Sequence, residues 1–399
     1  VRLYQYRRDK ETMVLEGFRD PELARKISEK IQLFATDIGE DLIFMHVCGS
    51  HEWTMSHYGI RSLLPQNIEV RAGPGCPVCI TPGTDIDTAV KLAMEGKVIL
   101  TYGDMSRSKG SNGISLLDTR PNGTDIRIVY SIHDAVIRAR QEPDREFVFF
   151  AVGFDTTAPL TAYEILNKLP NNLAFIVSYR YMPPLVGAIL RSSVLGIDGI
   201  INAGHSATIT GIKPYYPYFL ETRKPQVFCG FEPIDVLLGI LLLVQQIKEK
   251  KPRLQNEYTR SVTWEGNTDA QDKLDKVFEL VDGYVRGVAV IPGCGFSFKD
   301  EYTYLDAYKK YSLRKGEPNE QFIHGARCGE VILGLCDPPE CPLYMKECTP
   351  HNPKGPTMIS SEGSCRIWAE HRFIDSIKCR SNFRGSKGVS SSAYSDTVS

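Results

Sequence analysis

Seven apolar runs of strand length punctuate the first two thirds of this chain, and five of them end at or beside a glycine. The runs are Leu42 to Val47, Ile68 to Ala72, Val98 to Tyr102, Phe147 to Val152, Ala174 to Tyr179, Gly199 to Ala203 and Val227 to Phe231. Such runs are too continuous for edge strands with one wet face, so both faces are buried. Most are separated by amphipathic segments of helix length. Strand, helix, strand repeated in this way predicts an α/β fold of parallel sheets with helices on their faces. Glu232 to Lys251 reads as one long helix with a very apolar first half, and Leu254 to Thr268 as polar and irregular chain. Beyond it the pattern changes to helices and a cysteine-bearing region. Val1 to Thr36 is charged, with helical apolar spacing at Leu23, Ile27, Ile31 and Phe34. The Ser/Gly-rich end, 380–399, has no periodicity and is expected to be a disordered tail.

Composition narrows the class of function. The 399 residues carry 47 Lys plus Arg against 48 Asp plus Glu, so no global field draws the chain to nucleic acid or to an anionic membrane. The longest apolar run, Val236 to Val244, is far shorter than the roughly 20 residues of a membrane-spanning helix. The charged N-terminus lacks a signal-peptide apolar region, which predicts a cytoplasmic protein. Eleven cysteines in a reducing compartment point to metal or redox chemistry.

The strand ends carry that chemistry. In open parallel sheets, ligands bind outside the carboxyl ends of the strands. There the sequence places Cys48-Gly-Ser-His51-Glu52, Gly73-Pro-Gly-Cys76-Pro-Val-Cys79, Gly103-Asp104, Gly153-Phe-Asp155-Thr156-Thr157, Gly204-His205 and Gly230-Phe-Glu232, which predicts one shared cleft. Asp155 before two threonines reads as a helix N-cap. Cys48 and His51, three residues apart at a helix start, can face one site, and the helix dipole is expected to lower the Cys48 pKa. Glu52 and His57 read as solvent or packing residues, and His46, inside its strand, as core. The Cys76-x-x-Cys79 pair fits a thiol/disulfide couple, half of a zinc site, or a structural turn. No second pair or histidine at zinc spacing follows nearby, which weighs against zinc.

Cys328, Cys341, Cys348 and Cys365 form C-x12-C-x6-C-x16-C through a Gly/Pro-rich stretch. Four sulfurs converge on one point only if the intervening chain can turn, and these loops supply the turns, so an iron-sulfur cluster is the first reading. Cys336 is a fifth cysteine in the same segment. Cys229, Cys294 and Cys379 read as buried or incidental.

Several strings then match one family: CGSHEWTMSHYGIRSLLP from Cys48, GPGCPVC from Gly73, GFDTTAP from Gly153, AGHSATITG from Ala203, GFEPIDVLLGI from Gly230, and RCGEVILG, CPLY, CTP and SSEGSC from Arg327 onward. From about Asp41 to Trp368 the chain resembles the HypD family of hydrogenase maturation factors. The resemblance implies two similar α/β domains facing a cleft, plus a mainly helical or irregular domain holding a [4Fe-4S] cluster. Applied here, it divides the chain into a helical segment 1–36 that packs with the C-terminal domain, domains 37–146 and 147–245, a cluster domain 246–379, and the tail. It implies assembly of the Fe(CN)2CO unit of [NiFe]-hydrogenase, with a small chaperone, HypC, and with HypE as cyanide donor, carrying a thiocyanate made with HypF. Position by position, it implies an iron-binding Cys48, a motif histidine at His51, a thiol pair at Cys76 and Cys79, and cluster ligands at Cys328, Cys341, Cys348 and Cys365. Asp155, Thr156, Thr157 and His205 would supply hydrogen-bonding groups to the cleft. The chain departs from the family pattern at Trp53, where a second histidine is frequent, and at Asp155, where glutamate is usual. Two other classes compete: a cluster-dependent protein disulfide reductase, and a structural zinc protein stapled by its C-terminal cysteines.

Overall fold

The computed structural model describes residues 17–316 and 324–371. Its strands are β1 (Leu42–His46), β2 (Ile68–Ala72), β3 (Val98–Thr101), β4 (Ile126–Ile128), β5 (Phe147–Phe154), β6 (Leu173–Arg180), β7 (Gly199–Ala203), β8 (Gln226–Cys229), β9 (Leu254–Asn256), β10 (Phe278–Val285) and β11 (Ala289–Phe298). They form two sheets, in the orders β2-β1-β7-β8-β9 and β10-β11-β6-β5-β3-β4. Every pairing is parallel except β10 with β11 and β11 with β6. All seven runs recognised in the sequence are strands.

Side-chain alternation along the central strands sorts the core into layers. Ile43 and Met45 of β1 and Val148, Phe150 and Val152 of β5 belong to one buried cluster that draws on both sheets. Leu42 and Phe44 point the other way, beneath helices Pro21–Ile38 and Pro233–Lys248. Phe147, Phe149 and Ala151 form the outer layer of the second sheet. The first of those helices starts where the Asp20 carboxylate accepts the Glu22 and Leu23 N–H groups, and ends at Gly39, whose φ of 69° suits glycine. A smaller cluster containing Cys336, Cys348, Cys365 and Trp368 lies apart. Among the described residues, no helix is long and apolar enough to cross a membrane.

Three expectations are corrected. The sheets do not divide at 146/147: β5 pairs with β3, and the chain leaves the first sheet after β2, returns to it for β7 to β9, and leaves again. The described part of the N-terminal segment packs on the Pro233–Lys248 helix and on β1, not on the cysteine-bearing region. The stretch after that helix is also more regular than its polarity suggests. β9 extends the first sheet, and the β10–β11 hairpin, absent from the sequence reading, joins the second through Gly295 opposite Arg180. Cys379 and the tail lie outside the described residues.

Candidate functional site

Because β1 and β7 run parallel and adjacent, their ends bring Cys48 and His205 together, with Cys48 Sγ 3.8 Å from His205 Nδ1. Gly73 N–H bonds the His46 carbonyl at 2.8 Å and folds the next loop back over the end of β1. A Cβ on Gly75 would lie 2.2 Å from the Cys48 nitrogen, so only glycine permits this approach. The same loop carries Cys76 and Cys79, which are joined as a disulfide, with the Cys79 N–H directed at Cys76 Sγ, 3.2 Å away. One pocket is lined by Cys48, Cys76, Cys79, His46 and Glu52, together with Thr357, Glu362 and Ser364 from the C-terminal region.

Cys48 is the N-cap of the helix Gly49–His57. The helix start does not lower its pKa as expected. Burial pushes the thiol up to about 11, against the smaller opposing effect of the His51 and Ser50 N–H groups. His51 contributes its backbone N–H to Cys48, but its ring turns away. Nε2 bonds the Gly230 carbonyl at 2.9 Å and the ring stacks on Phe231 with centroids 4.7 Å apart. Burial, with His46 beside it, depresses the imidazole to about 3, so it is neutral.

Glu52 is not a solvent or packing residue. It is 1% exposed, and its Oε2 accepts from His46 Nε2 at 2.8 Å and Arg61 Nη2 at 2.7 Å. Its Oε1 accepts from Ser56, Arg61 Nη1 and Trp368 Nε1. Burial alone would raise this carboxyl, but Arg61 and His46 outweigh it and hold it well below the usual range. His46 is buried, as expected, though as a polar partner. His57 is exposed, and Trp53 stacks on it at 4.4 Å.

Asp155 does not cap its own helix. Its carboxylate accepts the Met182 N–H at 3.1 Å and the Ser206 hydroxyl at 2.8 Å, tying the end of β5 to the residue beside His205. Burial pushes it up to about 6. Thr156 and Thr157 are partly buried and do not line the Cys48 pocket; Thr157 packs where a Cβ on Gly153 would sit.

A second pocket is lined by Cys328, Cys341, Cys348 and Cys365, with Lys354, Gly355 and Thr357. Cys336 is buried nearby but does not line it; its thiol bonds the Asp337 carbonyl. The Lys354 N–H lies 3.4 Å from Cys348 Sγ, and the Thr357 hydroxyl donates to Cys365 Sγ at 3.2 Å. A Cβ on Gly355 would sit 2.2 Å from Cys328 Sγ. Burial, with Cys341 and Cys348 close by, pushes the Cys328 thiol up to about 12, so four thiolates here require a compensating cation. Four soft donors around one pocket, with N–H and O–H groups aimed at sulfur and a glycine leaving room, fit a thiolate-bound cluster. Among the described residues, no group of three or more His, Cys, Asp or Glu converges on a single metal ion.

The two pockets share a wall. Thr357 lines both, and the neighbouring Pro356 carbonyl lies 3.7 Å from Cys79 Sγ. The sequence reading missed Thr357, Glu362 and Trp368. Glu362 lies three residues before Cys365, in the string SSEGSC. Its backbone and Cβ press on Gly49, and Asp104 holds the turn by accepting the Ser361 N–H and hydroxyl at 2.8 and 2.9 Å.

Fold and site together define an α/β thiol protein whose buried cysteines gather where strand ends meet a C-terminal cysteine segment. A family model named HypD, described as the hydrogenase formation hypA family, matches residues 22–372. The chain is 44% identical over 361 residues to a Methanocaldococcus jannaschii protein named for hydrogenase expression and formation, covering 90% of this chain and 99% of that one. It is 38% identical to hydrogenase maturation factor HypD of Rhizobium leguminosarum bv. viciae, over 91% of this chain and 97% of that one. For HypD of Escherichia coli K12 the identity is 35%, over 91% and 99%. This chain belongs to the HypD family of hydrogenase maturation factors.

Proposed function

We propose that this chain is a cytoplasmic [NiFe]-hydrogenase maturation scaffold on which the Fe(CN)2CO unit is assembled. In this reading Cys328, Cys341, Cys348 and Cys365 hold a [4Fe-4S] cluster, and Cys76 and Cys79 are a redox couple. The observation that carries it is the Pro356–Thr357 step, which touches the disulfide on one side and the four-thiol pocket on the other.

The iron is cargo. Cyanide and carbon monoxide favour low-spin ferrous iron, for which a soft thiolate is the fitting protein ligand. Cys48 provides one and a cysteine of the small chaperone HypC the other. A buried thiol held up to about 11 stays protonated until the metal displaces its proton, so Cys48 is inert before iron arrives. His205 Nδ1, 3.8 Å away, accepts that proton. Cyanide comes from HypE as a thiocyanate prepared with HypF. Its release is a two-electron reduction: thiocyanate plus the Cys76/Cys79 dithiol gives the donor thiol, hydrogen cyanide and the Cys76–Cys79 disulfide. A cluster held by Cys328, Cys341, Cys348 and Cys365 would supply electrons one at a time, and returning the disulfide to the dithiol takes two electrons and two protons. Asp155 keeps Ser206, and with it His205, in register with Cys48.

The competing classes fit less well. A reductase acting on protein disulfides needs Cys76 and Cys79 but has no use for Cys48, which lines the same pocket as that pair. A structural zinc is redox-inert and would give no role to the contact between the four-cysteine pocket and the Cys76–Cys79 disulfide. Infrared spectroscopy of the complex purified with the small chaperone tests the proposal. Bands of iron-bound cyanide and carbonyl are expected, lost in Cys48→Ala with the cluster retained. Their persistence in that variant would overturn it.

A further inference from the structure

Besides the packing of His371 on Trp53 and His57, the Cys48 helix and the Cys365 helix share a side-chain hydrogen bond that the maturation chemistry does not use. Glu52 stands one turn after Cys48 on helix Gly49–His57, and Trp368 stands three residues after Cys365 on helix Ser364–His371. The Trp368 indole N–H donates to Glu52 Oε1 at 2.7 Å, and the Arg61 guanidinium lies 5.2 Å over the same indole ring. Both residues are at most 5% exposed. An N–H bonded to a buried carboxylate is a strong, directional contact whose loss leaves polar groups unpaired. Just before the second helix, Glu362 abuts the Gly49 backbone so closely that a Cβ there would lie 2.7 Å away. The start of the Cys48 helix is thus clamped at both its first residue and its fourth by the segment bearing Cys365.

We propose that Trp368 is a positioning residue through which filling of the four-cysteine site fixes the helix that follows Cys48. The inference rests on the reading of Cys328, Cys341, Cys348 and Cys365 as one binding site. A metal cluster closes the loops that join these cysteines and so orders the Cys365 helix, which carries the indole one turn further on. Trp368 then holds Glu52, which also carries His46, Ser56 and Arg61, so the strand and helix on either side of Cys48 respond together. Coupling of this kind is reciprocal, and cargo at Cys48 stabilises the filled four-cysteine site in return.

Hydrogen exchange of the full-length chain tests this, comparing the metal-free protein with protein reconstituted anaerobically with ferrous iron and sulfide. In the wild type, amides of Gly49–His57 are expected to exchange about tenfold more slowly after reconstitution. Trp368→Phe keeps an aromatic ring and removes the N–H. It should take up iron and sulfide as the wild type does while losing most of that added protection. Equal protection in Trp368→Phe, or no change on reconstitution of the wild type, overturns the proposal. A variant that fails to take up iron leaves the wild-type comparison as the deciding measurement. Failure of the wild type to take up iron and sulfide overturns the four-cysteine site itself, a distinct result.

Discussion

Cys48 Sγ and His205 Nδ1 lie 3.8 Å apart, each just past the end of one of the paired strands β1 and β7. The thiol is held protonated by burial, up to about 11 against an ordinary value of 9.0. A cysteine whose folded pKa is raised contributes stability below its unfolded pKa and loses it as pH rises toward the folded one. Comparing wild type with Cys48→Ser by urea unfolding, the stability difference should shift between about pH 9 and about pH 11. Two units correspond to about 3 kcal/mol. A pH-independent difference would show that the thiol is not buried as described.

Asp155 shows the same sign of effect at lower pH. Its carboxyl is pushed up to about 6 by burial, so ionising it opposes folding as pH rises from about 4 to about 6. Asp155→Asn keeps an acceptor for the Met182 N–H and removes the charge. It should flatten the stability profile over that interval and be no less stable than wild type at pH 7. A loss of more than about 1 kcal/mol at pH 7 would mean that the charged form is needed.

Glu52→Gln is expected to destabilise the protein by about 3 kcal/mol in urea unfolding, because Arg61 loses its buried counter-charge. Glu52 is held below the ordinary carboxyl range, so its contribution is complete above about pH 4.5 and falls away in more acid solution. The difference between variant and wild type should shrink there. A difference constant down to pH 3 would contradict the pairing.

At the four-cysteine pocket, Gly355→Ala places a methyl group on Cys328 Sγ and should lose most iron and sulfide on reconstitution, with far-ultraviolet circular dichroism unchanged. Cys336→Ala should retain both, since Cys336 does not line the pocket. Iron and sulfide analysis decides. A collapse in Cys336→Ala would put that cysteine among the ligands.

The strands were legible because burial on both faces demands uninterrupted apolar runs, and β5 is buried along all eight residues. The β10–β11 hairpin was not, because β10 mixes Glu279, Asp282 and Gly283 with apolar residues and is exposed over its middle. Cysteines and glycines announced the site, since few other roles require those residue types at strand ends. Glu52 did not, because an acidic residue in a first helical turn is ordinary. Its partner Trp368 lies 316 residues away, beyond any local pattern. Asp155 misled for a related reason: a carboxylate before a helix suits capping, yet this one reaches across to the N–H of Met182 in the next unit.

The interleaving of the sheets also sets the order in which the protein can be made. β1 emerges early but lies between β2 and β7, and β7 leaves the ribosome about 150 residues later, on the order of ten to thirty seconds at ordinary rates of synthesis. Throughout that interval the most apolar strand of the first sheet has one unpaired edge, and the Cys48 loop has no His205 beside it. The nascent chain therefore carries an unpaired edge and a chemically incomplete site until the return strand arrives.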